Sequence, residues 1–265
     1  GVLVLAVGRA TRLLEYLVNQ PKSYRCEILL GVTTDSHDLS GKIIKQNSVD
    51  NDYLSKFSSM AARFVGNIYQ IPPMVSAIHH DGKRLYELAR AGVVVKREPR
   101  KVIIFALDVI GTDEYNQTNK ILFDVKCSKG TYIRTLCHDI GESLGYGGTM
   151  SYLLRTSSGP FKLEKAWCLE EITEAIAENN YDFLLPQEFA IQGMPLVIIC
   201  SKAVEKVLNG VAVQEEDIIE SQGNIRNGQP LCIFSEEHKL IAIGALHYKD
   251  HIFYIKPRKV LKNEV

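Results

Sequence analysis

The chain carries no excess charge of either sign: its 31 Lys and Arg are matched by 31 Asp and Glu. Net charge therefore gives no sign of a nucleic-acid partner, and any basic surface has to be local. No Cys-x-x-Cys pair occurs among Cys26, Cys127, Cys137, Cys168, Cys200 and Cys232, and the seven histidines add no ligand spacing. A zinc site is not indicated, and scattered, unpaired thiols suit a reduced cytosol better than a secreted disulfide framework. A cytoplasmic location is the expectation. No apolar run is long enough to span a membrane, and no basic stretch precedes the opening one, so neither a signal peptide nor a transmembrane helix is expected. Internal repeats, low-complexity tracts and paired-carboxylate patterns are also lacking; Asp35, Asp38, Asp81, Asp108, Asp124 and Asp139 stand apart, and Asp139 reads as structural.

What is present is apolar patterning. The 265 residues are 46% hydrophobic, enough for more than one domain. Val2 to Val7 reads as a buried strand, and Ala10 to Val18 has helical spacing. Tyr24, Cys26, Ile28 and Leu30 alternate along a strand, and a polar loop follows from Gly31 to Gly41. Asp50 to Phe64 has mixed helical spacing, and Gln70 to Pro73 breaks regular structure. Asp81-Gly82 signals a turn before a short helix, Arg84 to Arg90, with Leu85, Leu88 and Ala89 inward. Lys101 to Ile110 and Ile121 to Ser128 are strand-like around a hairpin loop, Gly111 to Lys120. Ile133, Leu136, Cys137, Ile140 and Leu144 form one stripe of a helix over Thr131 to Leu144, with Thr131 as its N-cap. The pattern shifts after Trp167: Leu169 to Glu178 is helical, and short strands with turn signals from Pro195 predict a small barrel-like domain. The domain boundary is placed near 190.

Several residues have the character that chemistry needs. In Cys127-Ser-Lys-Gly-Thr-Tyr-Ile-Arg134 a strand ends, Gly130 permits a turn and a helix begins between Lys129 and Arg134. Such a turn suits a phosphate, or is an ordinary strand-to-helix turn with surface bases. Tyr24 can stack on a base and pass a proton, or fill the core side of its strand. Arg155, after Tyr152-Leu-Leu154, either pairs with a carboxylate or stands exposed at a strand end. Arg9, Arg12, Lys83, Arg84, Lys96, Arg97, Arg100, Lys101, Lys126, Lys256, Arg258 and Lys259 would track an RNA backbone if gathered on one face. The run at 96–101 reads equally as a solvated loop. His79-His80 could be metal-like or RNA-contacting, though adjacent loop histidines are more often neither.

In order along the chain, eight blocks carry a resemblance. They are Gly8-Arg-Ala-Thr-Arg-Leu13, Lys22-Ser-Tyr-Arg25, Gly31-Val-Thr-Thr-Asp35 and Gln70-Ile-Pro-Pro-Met-Val-Ser-Ala77. Asp81-Gly-Lys-Arg-Leu-Tyr-Glu-Leu-Ala-Arg90, Cys127-Ser-Lys-Gly-Thr-Tyr-Ile-Arg-Thr135, Asp139-Ile-Gly141 and Leu154-Arg-Thr-Ser-Ser-Gly-Pro-Phe161 follow. Together they resemble the bacterial type of the TruB family of tRNA pseudouridine synthases. The tail from about 195, through Leu208-Asn-Gly210 and Ile241-Ala-Ile-Gly-Ala-Leu246, resembles a PUA domain more loosely.

The resemblance implies an α/β (α+β) fold. A pseudouridine synthase catalytic domain over 1–190, with a mixed, mainly antiparallel sheet, would precede a PUA-like β-barrel RNA-binding domain over 191–265. It implies isomerisation of uridine 55 in the T-loop of tRNA to pseudouridine, by base flipping and with neither cofactor nor metal. The nucleophile would be an Asp in a stretch of the type Gly-Thr-Leu-Asp-Pro-x-Ala-x-Gly-Val-Leu, of which Gly1-Val2-Leu3 would be the end. The Asp would lie upstream of Gly1, and the 265-residue chain alone would be inactive. Tyr24 would stack on the flipped base and serve proton transfer, Arg155 would hold the Asp, and Leu169 would line the base pocket. Arg9, Arg12, Lys83, Arg84, Lys129 and Arg134 would meet RNA or support the site. The partner would be the tRNA T-arm, with no obligate protein partner and a monomeric chain. His79 stands where the family usually has Lys, and Leu154 where Arg is common. Two other readings share the fold: a non-catalytic tRNA-binding or tRNA-folding protein, and a guide-RNA-dependent, dyskerin-type relative.

Overall fold

The computed structural model describes residues 1–80, 82–112, 118–249 and 252–261. Asp81 of the expected turn and the centre of the expected hairpin loop, 113–117, fall outside these. The chain forms two compact units. Gly1–Val4 with Val18–Ala166 make the first, and Leu5–Leu17 with Trp167–Val265 make the second. The transition thus lies at 166/167, where the residue pattern shifts, and the connector up to 194 packs with the second unit.

A 3-10 turn (Gly8–Leu13) and the short helix α1 (Leu14–Val18) precede the first unit's main run. That run comprises β1 (Lys22–Leu30), β2 (Val32–Thr34), β3 (Ile43–Gln46), α2 (Tyr53–Ala62) and β4 (Gly66–Gln70). It continues with β5 (His79–His80), β6 (Lys83–Arg84), α3 (Leu85–Arg90), β7 (Arg100–Thr112), β8 (Lys120–Cys127), α4 (Ile133–Ser143), β9 (Gly148–Ser158) and β10 (Phe161–Lys162). Six strands form one antiparallel sheet in the order β10-β9-β1-β8-β7-β4. Period-two alternation decides its faces. Cys26, Ile28 and Leu30 of β1, with Ile121, Phe123, Val125 and Cys127 of β8, are buried on one side. Phe57 and Ala61 of α2 and Ile133, Leu136, Cys137 and Ile140 of α4 cover them, so the predicted stripe of α4 is the stripe that packs. The other face carries ion pairs, Arg25–Asp124 at 2.9 Å and Lys120–Glu27 at 2.9 Å.

Two local expectations are corrected. Val2 to Val7 forms no strand: Val2 is buried, but Leu3 and Leu5 are 73% and 74% exposed. An apolar run fixes no partner by itself, and only Val2 finds one, donating its N–H to the Arg155 carbonyl at 2.9 Å. Nor is Thr131 a cap. The helix starts at Ile133 after Tyr132, and the Thr131 hydroxyl donates back to the Ser128 carbonyl at 2.9 Å. The Tyr132 N–H is instead met by the Gln70 side-chain oxygen at 3.0 Å.

The second unit contains α5 (Leu169–Ala177), β11 (Leu196–Ile199), α6 (Ser201–Leu208), β12 (Val213–Gln214), β13 (Ile218–Gln222), β14 (Pro230–Ser235), β15 (Leu240–Lys249) and β16 (Ile252–Val260). Its sheet runs β12-β16-β15-β14-β11-β13, antiparallel except for β11 beside β14. Val197, Ile199, Leu231, Ile233, Ala242 and Ile255 pack with Ala203 and Val207 of α6 as a core of their own. No ladder among the described residues joins β12 to β13, so the observed element is an open sheet where a closed barrel was expected.

Candidate active site

The register of the first sheet sets the site. Tyr24 lies opposite Val125 on one side and Arg155 on the other, and a bulge between Ser23 and Tyr24 adjusts the pairing there. The Tyr24 ring packs half-buried at the margin of the core, and its hydroxyl and the Arg155 guanidinium are hydrogen-bonded. Burial raises the phenol above its ordinary value, with Cys127 adding to the effect and Arg155 opposing it. The phenol therefore keeps its proton at neutral pH.

Arg155 also holds the start of the chain. Its Nε donates to the Val2 carbonyl while its own carbonyl accepts from the Val2 N–H. Gly1 sits so close that a side-chain carbon there would lie 2.9 Å from the Arg155 nitrogen. Lys22 is two residues before Tyr24, and its ammonium donates to the Val18 and Gln20 carbonyls at 2.6 and 2.7 Å. Burial lowers its pKa, and the neighbouring charges of Arg155 and Lys129 lower it further. Two cations, Arg155 and Lys22, thus lie beside one tyrosine, an arrangement that attracts a carboxylate or a phosphate. The Cys127 thiol, pushed up to about 11 by burial, stays neutral beside them.

Not every expected residue joins this group. Lys129 reaches the Asn19 side-chain oxygen at 2.5 Å. Arg134 turns to Asp38, 2.8 Å away, and to the Val75 carbonyl. Lys83 and Arg84 form the exposed strand β6, where the Arg84 guanidinium lies 5.9 Å from the Tyr86 ring centre and Arg90 covers the same ring at 5.4 Å. Arg9, Arg12 and Leu169 belong to the second unit. Arg12 donates to the Val260 carbonyl, and Leu169 opens α5 with 73% of its surface exposed. Sequence reasoning missed the Asp38–Arg134 pair, because 96 residues separate the partners and no local spacing announces them. It also missed the stacking of His37 on His138. Among the described residues no cluster of His, Cys, Asp and Glu could hold a metal, and no helix is long and apolar enough to cross a membrane.

A family model for the N-terminal domain of the TruB family of pseudouridylate synthases matches residues 1–133, and one for the C-terminal domain of tRNA pseudouridylate synthase B matches 134–192. The chain belongs to the TruB family. This TruB-family chain is 41% identical over 263 residues to tRNA pseudouridine synthase B of Moorella thermoacetica, covering 99% of the chain and 86% of that protein. With the protein of the same name from Symbiobacterium thermophilum it shares 46% over 213 residues, covering 80% and 69%. A chain from a solved Cbf5-Nop10-Gar1 complex matches with a TM-score of 0.73 and 26% identity, covering 97% of this chain and 71% of that one. A chain from an H/ACA RNP bound to a substrate RNA matches with a TM-score of 0.72 at 23% identity, again over 97% and 71%. The mixed α/β architecture is therefore that of the pseudouridine synthases, which are isomerases by class.

Proposed function

We propose that this chain is the body of a tRNA pseudouridine synthase that isomerises uridine 55 of the T-loop. The observation that carries the reading is the pairing of Tyr24 with Arg155 at the point where Arg155 also grips Val2. Residues joined upstream of Gly1 would begin beside the Arg155 guanidinium, which is where the nucleophilic Asp has to be held. The target uridine leaves its stack, the Tyr24 ring supports the flipped base, and the Asp, its carboxylate fixed by Arg155, promotes exchange of the N1–C1′ bond for a C5–C1′ bond. Tyr24, protonated at neutral pH, relays the C5 proton: its oxygen accepts that proton as its own hydroxyl proton passes to water. Lys129, Lys83, Arg84, Arg9 and Arg12 contribute to the RNA-binding surface, Arg134 supports the site through Asp38, and Leu169 offers an apolar wall to the base. The tail over 191–265 serves as a PUA-like RNA-binding domain after a catalytic domain over 1–190. The stand-alone mode is favoured over the guide-RNA-dependent one: relatives named tRNA pseudouridine synthase B reach 41% identity over nearly the whole chain, against 26% for the Cbf5 complex.

Tritium release from tRNA labelled at uridine C5 tests the proposal. The 265-residue chain should bind the tRNA without release, and the chain extended upstream through the Asp-bearing stretch should release one tritium per tRNA. Release by the unextended chain would remove the upstream nucleophile. Binding without release by both forms would leave a tRNA-binding protein.

A further inference from the structure

The loop between β2 and β3 is fastened to α4 by a pair of histidines. The His37 and His138 rings stack with centroids 3.9 Å apart and planes 3° from parallel. The Nδ1 atom of each ring is buried and has no hydrogen-bond partner. His37 adopts a left-handed backbone, φ 65°, which a non-glycine residue keeps only when its surroundings hold it. Its carbonyl accepts from the Met150 N–H at 3.0 Å, tying the loop to β9 as well. Next in sequence, Asp38 pairs with Arg134 of α4, one helical turn from His138, and both partners are largely buried. Ser36 and Ser40 donate to the same carboxylate. The imidazole stack and the ion pair are therefore two adjacent rivets on one loop.

We propose that this clasp is proton-sensitive: neutral imidazoles close the 35–41 loop on α4, and protonation of either ring opens it and releases Arg134 from Asp38. A protonated ring carries an N–H at both nitrogens, and the buried Nδ1–H would have no acceptor. The charge would also face Arg134 on α4 and Arg97 on the strand-free segment before β7. Asp38 beside His37 and Glu142 beside His138 oppose this in part. The balance lowers both rings, His37 to about 4 through burial first and then through His138, Arg134 and Arg97. The sign follows. The closed state is fully favoured above the free-imidazole value near 6.5 and is lost as pH falls toward the folded value. For His37 alone the opening equilibrium should rise about thirtyfold between pH 7.5 and pH 5.

Two measurements on the 265-residue chain test this, and neither depends on catalysis. Proton NMR of the imidazole Cε1–H signals, assigned with His37→Asn and His138→Gln, should show His37 titrating well below 6.5 and His138 shifted in the same direction. Asparagine tolerates the backbone at position 37. Amide exchange over 35–42, corrected for intrinsic rates, should accelerate about thirtyfold from pH 7.5 to 5 in the parent. The acceleration should largely vanish in either variant. Rings titrating near 6.5 in the parent, or exchange that follows intrinsic rates alone, would overturn the clasp. The parent titration decides even where a variant fails to fold.

Discussion

Tyr24 and Arg155 illustrate how one residue serves two neighbours. The tyrosine ring closes the end of the core while its hydroxyl meets the guanidinium. Removing the hydroxyl alone should therefore separate chemistry from folding. In the upstream-extended protein, Tyr24→Phe should lower single-turnover pseudouridine formation by about 100-fold or more while tRNA affinity and melting temperature stay near those of the parent. A rate within a few-fold of the parent would remove the proton-transfer role. Gly141 is decided by space. A methyl there would lie 2.3 Å from the Gly148 nitrogen and 2.5 Å from its Cα, against backbone that cannot swing aside. Gly141→Ala should destabilise the first unit by about 2–3 kcal/mol in urea unfolding.

At the scale of elements, α4 joins core, loop and site. Its apolar stripe enters the core, and its first turn sends Arg134 to Asp38. Burial alone would raise the Asp38 carboxyl; hydrogen bonds from Ser40, Ser36 and Arg134 outweigh it and lower the pKa. Its stabilising effect is therefore present above the unfolded carboxyl value of 3.8 and is lost as pH falls through the lower folded value. Asp38→Asn should cost about 1–2 kcal/mol at pH 7 and flatten the acid limb of the stability curve below pH 4. An acid limb as steep as the parent's would show that another group titrates there.

The same elements show what the residues disclose unaided. Strands β1 and β8 and helix α4 were legible because period-two and helical spacing are written locally. Strand β9 was not: Gly148 to Ser158 mixes buried, half-buried and exposed positions without alternation, and its place comes from pairing with β1. The Thr131 cap failed because Gln70, 62 residues upstream, reaches the same helix end. In the site, Tyr24 and Arg155 stood out by type and motif. That they face each other depends on a register no local pattern contains.

At the scale of the whole molecule, the cysteines report how well each core is closed. All six are free; Cys26, Cys127, Cys137 and Cys232 are buried, whereas Cys168 is exposed. Burial raises the buried Cys232 thiol to about 12, which suppresses its thiolate. A thiol reagent should titrate six groups in denaturant; in the native protein Cys168 should react fastest and half-buried Cys200 more slowly, with Cys168→Ser removing the fast phase. Several fast groups would show a loosened core. The reaction should also fray α5, since the Cys168 sulfur accepts from the Glu171 N–H at 3.5 Å.

The crossing of the chain between its two units bears on how it emerges from a ribosome. Residues 5–17 are translated early, yet their partners lie far downstream: Arg12 bonds the Val260 carbonyl, 248 residues on, and Glu15 pairs with Lys259 at 3.2 Å. The first unit can close once β10 has left the exit tunnel. The Gly8–Leu13 turn must wait, its Leu13 uncovered, at least until the Gln187–Ile191 turn that packs beside it has been made, and its ties to β16 form last. Vectorial synthesis therefore leaves one sticky, unfinished segment hanging from an already folded body, and that segment is where a nascent-chain chaperone would find its handle.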